Sequence, residues 1–181
     1  MNFSRFGCFC VALFLGLTGL VNAADAPASF KVGEFEFKRP EKWSWVEPTS
    51  PMRKATLKVS SADGKDSAEV VFFHFGPGNG GGTQANVDRW LGQFQEGREK
   101  IQAKVEESKV GGRSVTFVQA QGTYLSGMPG GPKTALAGTM LKGAIVESSE
   151  GSVFIRMTGP VAFVSGLDAA FRGMVESPLK K

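Results

Sequence analysis

The chain has 181 residues, 21 basic and 17 acidic side chains, and a formal charge of +4. That excess is small, and Lys58, Lys65, Arg98, Lys100, Lys104, Lys109 and Arg113 are interleaved with acids. Nucleic-acid binding wants a concentrated basic face, so the sequence argues against it. Both cysteines, Cys8 and Cys10, lie at the extreme N-terminus, which excludes disulfide, thiolate-metal and cysteine-nucleophile chemistry from everything that follows.

Residues 1–23 read as a secretory signal peptide. Arg5 supplies the positive start, Phe6 to Val21 the uncharged apolar run, and Val21-Asn22-Ala23 the small-residue cleavage site before Ala24. Cleavage removes Arg5 and leaves a charge of about +3, with no transmembrane span expected afterwards. The expected location is therefore periplasmic or extracellular. Both cysteines precede most of the apolar run, which argues against a lipoprotein.

Residues 24–29 are small and polar, with Pro27, and are expected as a disordered lead-in. Residues 30–177 have one domain's length, with 178–181 as a tail. From Phe30 the chain alternates as a strand, with Phe35 and Phe37 on one face and Glu34, Glu36 and Lys38 on the other. Pro40 stops it. Trp43 and Trp45 share a direction, as a binding platform or as core beneath the first helix. Met52 to Ser60 alternates Ala55, Leu57 and Val59 against Lys54, Thr56 and Lys58. The Asp63-Gly64 pair that follows signals a hairpin.

The strand Ala68 to Phe75 is apolar on both faces over Val70 to Phe75 and is predicted in the middle of a covered sheet. Gly76 to Gly82 breaks it. Val87, Trp90, Leu91 and Phe94 then form a single helical stripe, with Thr83 as the expected N-cap and Gly97 as the stop. Gly111-Gly112 joins two extended runs as a hairpin. Residues 126–132 predict a flexible loop, and residues 140–147 and 152–158 another strand pair. Pro160 is placed in the first turn of a second helix carrying Val164, Leu167, Phe171 and Met174 or Val175, closed at Ser177-Pro178. Hairpin-joined strands with two apolar helix stripes read as one α+β domain, a twisted antiparallel sheet with amphipathic helices packed on it.

Residues Phe35-Glu36-Phe37-Lys38-Arg39-Pro40-Glu41-Lys42-Trp43 resemble the first strand and turn of PsbP-like domains, and the element order over 30–177 is compatible with that fold. The run from Gly82 to Trp90 and the Gly159-Pro160 pair resemble exported bacterial proteins with no assigned activity. Neither resemblance implies a cofactor or metal, because no site residues match.

Gly76-x-Gly78-x-x-Gly81 satisfies the dinucleotide fingerprint after a strand and before a helix. The strands before it pair as hairpins, Pro77 sits inside the motif, and a Walker-type loop would need lysine at Gly82, so no cofactor is expected. Two readings of the loop stay open. Its amides, with Gly78, Gly80, Gly81, Gly82 and Thr83, can hold a small anionic ligand at the helix N-terminus. Alternatively, the glycines let the chain turn sharply out of a buried strand.

His74, the lone histidine, has no serine, cysteine or acid at a triad spacing and reads as structural. Asn86, Asp88 and Arg89 line the polar side of the first helix, as a partner surface or as a solvated face. The leading functional expectation is a non-enzymatic envelope protein that binds a protein partner or assists an assembly. The alternative is a small-ligand or anion binder using the Gly76–Gly82 loop, and the third is a hydrolase built on His74.

Overall fold

The computed structural model describes residues 27–127 and 130–180. The expected signal peptide, and the first part of the expected lead-in, lie outside the described residues.

The first alternating stretch folds as a hairpin, β1 (Ser29–Val32) and β2 (Phe35–Lys38), turned at Gly33-Glu34. Gly33 takes φ +59, a conformation that glycine adopts without penalty, so the expected single strand becomes two. The expected disordered lead-in is also shortened. Ser29 is already in β1, the Ala28 carbonyl accepts from Arg39 N at 2.8 Å, and the Pro27 carbonyl accepts from Arg39 Nε at 2.8 Å.

The remaining strands are β3 (Ser44–Val46), β4 (Arg53–Ser60), β5 (Ser67–His74), β6 (Lys104–Val110), β7 (Arg113–Ser126), β8 (Thr134–Val146) and β9 (Val153–Pro160). They form one seven-stranded sheet in the order β3-β4-β5-β9-β8-β7-β6, and every pairing is antiparallel. The meander β6 to β9 therefore folds back so that β9 pairs with β5. The expected α+β class holds. β5 lies inside the sheet, and Val70, Val71 and Phe72 are buried, as its apolar pattern requires.

The helices are α1 (Thr83–Leu91), α2 (Val161–Ser165) and α3 (Asp168–Glu176). They lie on opposite faces of the sheet. On one face, β1–β2, α2 and α3 close over Leu57, Val70, Phe72, Val146 and Met157. Trp43 belongs to this cluster, so it does not pack under α1, and Trp45 packs against the same cluster. On the other face, Val87, Trp90, Leu91 and Phe94 pack on Val118, Ala120, Leu141, Ile145 and Phe154. Trp90 lies directly over Gly143, where a Cβ would collide with its ring.

Several boundaries differ from the sequence pattern. α1 is capped by Gly82 rather than Thr83, with no side-chain cap, and ends at Gly92 rather than Gly97. Phe94 stays on the apolar stripe because an isolated bridge ties it to Tyr124. Pro160 ends β9 and caps α2, and the second helix breaks at Gly166-Leu167 into two pieces. Within the expected tail, Leu179 is buried in the closed-face cluster and its carbonyl abuts Gly111.

Candidate functional site

α1 is the crossover from β5 to β6, and the two strands sit far apart in the sheet. It lies on the sheet face, starting near Glu147 and Ser114 and leading to Phe94, which bridges Tyr124. The glycine loop makes this possible. Gly80 has φ +89, and a Cβ there would stand 2.8 Å from both Phe154 and Phe75. Only glycine lets the loop lie this close on the aromatic core. With no parallel pair in the described sheet, the dinucleotide fingerprint lacks the βαβ unit that gives it meaning.

The loop is organised by its carbonyls. Asn86 is 2 % exposed, and its Nδ2 donates to the carbonyls of Gly80 at 2.9 Å, Gly81 at 3.4 Å and Gly82 at 3.0 Å. This corrects its expected place on a partner surface: Asn86 is an internal tie between helix and loop. Asp88 is exposed, accepts from Gln84 Nε2 at 2.9 Å and pairs with Arg98 at 3.0 Å. Arg89 is exposed, with Nη2 lying back toward Gly81. Asp88 and Arg89 thus remain on the outer side of α1, without Asn86.

Gly81, Gly82 and Thr83 border an open hollow of about 510 Å3 with Arg113, Ser148, Ser149 and Ser152. Gly78 is exposed and does not line it. A carboxylate already stands at the start of α1: the Thr83 hydroxyl donates to Glu147 Oε1 at 2.6 Å. Negative charge at a helix N-terminus is favourable, and Glu147, bonded to the Thr83 side chain, disfavours a second anion beside it.

The hollow runs into a cleft of about 500 Å3 between α1 and the β6–β7 hairpin. Its walls are Thr83, Gln84 and Val87 from α1, Val105, Glu107 and Lys109 from β6, Ser114 and Thr116 from β7, and Glu147. The register explains the set. Val105, Glu107 and Lys109 stand opposite Val118, Thr116 and Ser114, all on the α1 side of the hairpin. The lining mixes hydroxyls, carboxylates of Glu107 and Glu147, one lysine and exposed Val105, a composition suited to polar recognition.

Neighbouring turns stiffen this end. Glu34 from the β1–β2 turn pairs with Arg113 at 3.3 Å and accepts from the Ser148 hydroxyl. His74 lines neither space. It is half-buried, its Nε2 lies 3.2 Å from the Glu150 carbonyl oxygen, and Gly33 and Gly151 press against the ring. Its surroundings are structural, and no acid or nucleophile is bonded to it among the described residues.

Sequence reasoning missed Glu107, Lys109, Ser114, Thr116 and Glu147. Only the β6–β7 register and the crossover of α1 bring them together. The hairpin was legible at Gly111-Gly112, but which of its faces meets α1 was not.

No family model and no curated protein matches the chain. Similar solved structures include cyanobacterial PsbP (CyanoP) from Synechocystis sp. PCC 6803, at 13% identity and a TM-score of 0.48 over 89% of this chain and 95% of that one. Another is LpqN, described as involved in cell envelope biogenesis of Mycobacterium tuberculosis, at 13% identity and a TM-score of 0.46 over 78% of this chain and 79% of that one.

Proposed function

We propose that the protein is an exported, non-catalytic binding or accessory protein of the cell envelope, and that a partner chain docks along β6. The export half rests on the signal-peptide layout of residues 1–23. One observation carries the binding half. Among the described residues, β6 is a seven-residue edge strand paired only with β7, and the α1-side cleft of about 500 Å3 runs beside it. An extended partner segment that adds to β6 gains main-chain hydrogen bonds from the edge and side-chain selectivity from the cleft. Glu107 and Lys109 give that strand one charge of each sign to read.

The test is a photo-cross-linking residue at Glu107, with one at Lys31 on the β1–β2 hairpin as control, in cells producing the protein. A discrete adduct from position 107 alone supports the reading. Equal or absent labelling from both positions ends it.

A small polar ligand at the hollow by Gly81, Gly82 and Thr83 is the second reading, favoured by the hydroxyls of Ser148, Ser149 and Ser152 around it. Glu147 makes a hydrogen-bond donor a better fit there than a phosphate. Thermal melts with phosphate and with neutral sugars, on the native chain and on Glu147→Gln, separate the two ligand types. No shift in any of the four combinations removes this reading.

A further inference from the structure

We infer a second interaction surface, independent of the β6 cleft: a basic sheet face over β3, β4 and β5 that docks an acidic protein segment. α1 and its cluster stop at Phe73 of β5 and Phe75 just beyond it, and no β3 or β4 residue belongs to that cluster. Beyond that line the α1-side face continues without a helix. Register sets its rows. Val46, Thr56, Val71 and Arg156 stand side by side across four strands, and Ser44, Lys58, Glu69 and Thr158 form the next row. Arg53 stands opposite Phe73, and Lys54 occupies the β-bulge beside it.

Thr56 is 3% exposed and Val71 2%, although no helix lies on them. The accessible surface here is therefore made by the long charged side chains around them, whose stems cover apolar atoms while their heads stay in water. Those heads are unbalanced. Arg53, Lys54, Lys58 and Arg156 face one carboxylate, Glu69, which is taken by Arg53 at 2.7 Å. Among the described residues, Lys54, Lys58 and Arg156 have no ion-pair partner. Lys54 donates to the Pro51 carbonyl at 3.2 Å, and Arg156 to Gln93 Oε1 at 2.9 Å while lying over Phe73 and Tyr124.

Cations spread along the sequence are thus gathered on one flat face. Such a face steers and orients an acidic partner more than it adds raw affinity. A protein segment fits better than a lipid surface. The centre of the face holds small or buried side chains, and the exposed apolar residues Val46 and Met52 are at its margin, with no protruding aromatic to enter a bilayer.

The probe is a fluorescent peptide of about twelve residues rich in glutamate, titrated into the purified protein by anisotropy. Binding is expected at about 50 mM salt, weakening steeply toward about 300 mM as the charges are screened. Lys54→Glu with Lys58→Glu should weaken it about tenfold or more, and Lys54→Gln with Lys58→Gln less so. Both lysines are exposed, so an unchanged melting curve verifies the fold of each variant. Lys104→Glu with Lys109→Glu, on β6, should leave peptide affinity within about twofold. The proposal is overturned if the native protein ignores the peptide, if the β4 variants bind as well as the native chain, or if only vesicles of phosphatidylglycerol are bound. Loss of the Glu107 cross-link without loss of peptide binding would separate failure at β6 from failure here.

Discussion

The two faces of the sheet are finished differently. On the closed face, the β1–β2 hairpin and two helices bury a continuous aromatic cluster in which Phe72 meets Phe30 at 4.9 Å and Phe37 at 5.1 Å. On the other, the nine-residue α1 works almost alone. A helix of that length is about 13 Å long and about 10 Å wide. Seven strands at about 4.8 Å spacing span roughly 29 Å. One short helix therefore covers the middle of the face and leaves a margin on each side. One margin becomes the β6 cleft and the other the basic face. The closed face holds the larger buried cluster, and the half-covered face keeps accessible surface at both margins.

The sharpest way to break that division is to unpack the closed face. Phe72→Ala should cost about 3–5 kcal/mol, a large share of the stability of a domain this size. Val46→Ala, on the open margin, should cost less than about 0.5 kcal/mol. Urea midpoints for the two variants measure the contrast, and similar losses would mean that the faces are not energetically distinct.

The ion pair at the rim of the closed face comes next. Lys142 is buried, and it donates to Asp168 Oδ1 at 2.5 Å and Gln119 Oε1 at 2.8 Å. Asp168→Asn leaves that ammonium without its countercharge. Asp168 is itself half exposed, so the loss should be about 2 kcal/mol rather than the larger cost of a fully buried pair. The hydrogen bond from Lys142 is the main reason the Asp168 carboxyl is held below its ordinary 3.8, with the Lys142 and Arg172 charges adding to it. A depressed folded-state value means that this contribution is complete above about pH 4 and fades as pH falls through the lowered value. The acid limb of a stability–pH curve should therefore flatten in Asp168→Asn. An unchanged limb would remove the pair from the account.

On the α1 side, the tightest constraint is the glycine loop. Gly80→Ala adds a side chain at positive φ against Phe75 and Phe154 and should cost about 2 kcal/mol. Gly78→Ala also meets positive φ, but it has open space around it and should cost less. A larger loss at Gly78 than at Gly80 would show that backbone conformation, and not packing on the two rings, sets the loop.

What the sequence displays follows from what is local. The two-sided apolarity of β5, the α1 stripe and the hairpins around Gly64, Gly111 and Gly151 are short-range patterns, and each appears where it was expected. The β1–β2 turn is missed when the strand is read from Phe35 and Phe37 alone, although the inward positions change phase across Gly33-Glu34, where Phe30 and Val32 give way to that pair. The break at Gly166 was hidden because Val164, Leu167 and Phe171 keep helical spacing across it. The sites are illegible for a different reason. Thr83 meets Glu147 across 64 positions, and Lys58 shares a sheet face with Arg156 only because β9 returns to pair with β5. Asn86 illustrates the same limit, since periodicity places it at a polar position and only the folded loop turns three carbonyls onto it.

Thr56 gives the finest test of how the open face is built. Its register neighbours are Val46 and Val71, and its Oγ1 is buried with no hydrogen-bond partner among the described residues. On the closed face its β4 and β5 neighbours Leu57 and Val70 are apolar. A buried hydroxyl without a partner forfeits its water hydrogen bonds for nothing. Thr56→Val removes that deficit at nearly equal shape and should raise stability by about 1 kcal/mol, a small upward shift in melting temperature. The same change at Thr116, also buried but lining the polar cleft, supplies the comparison and should not stabilise to the same extent. If Thr56→Val lowers the melting temperature, its hydroxyl is satisfied in solution by water reaching between the charged side chains. The basic face would then be looser and wetter than a closed layer of stems.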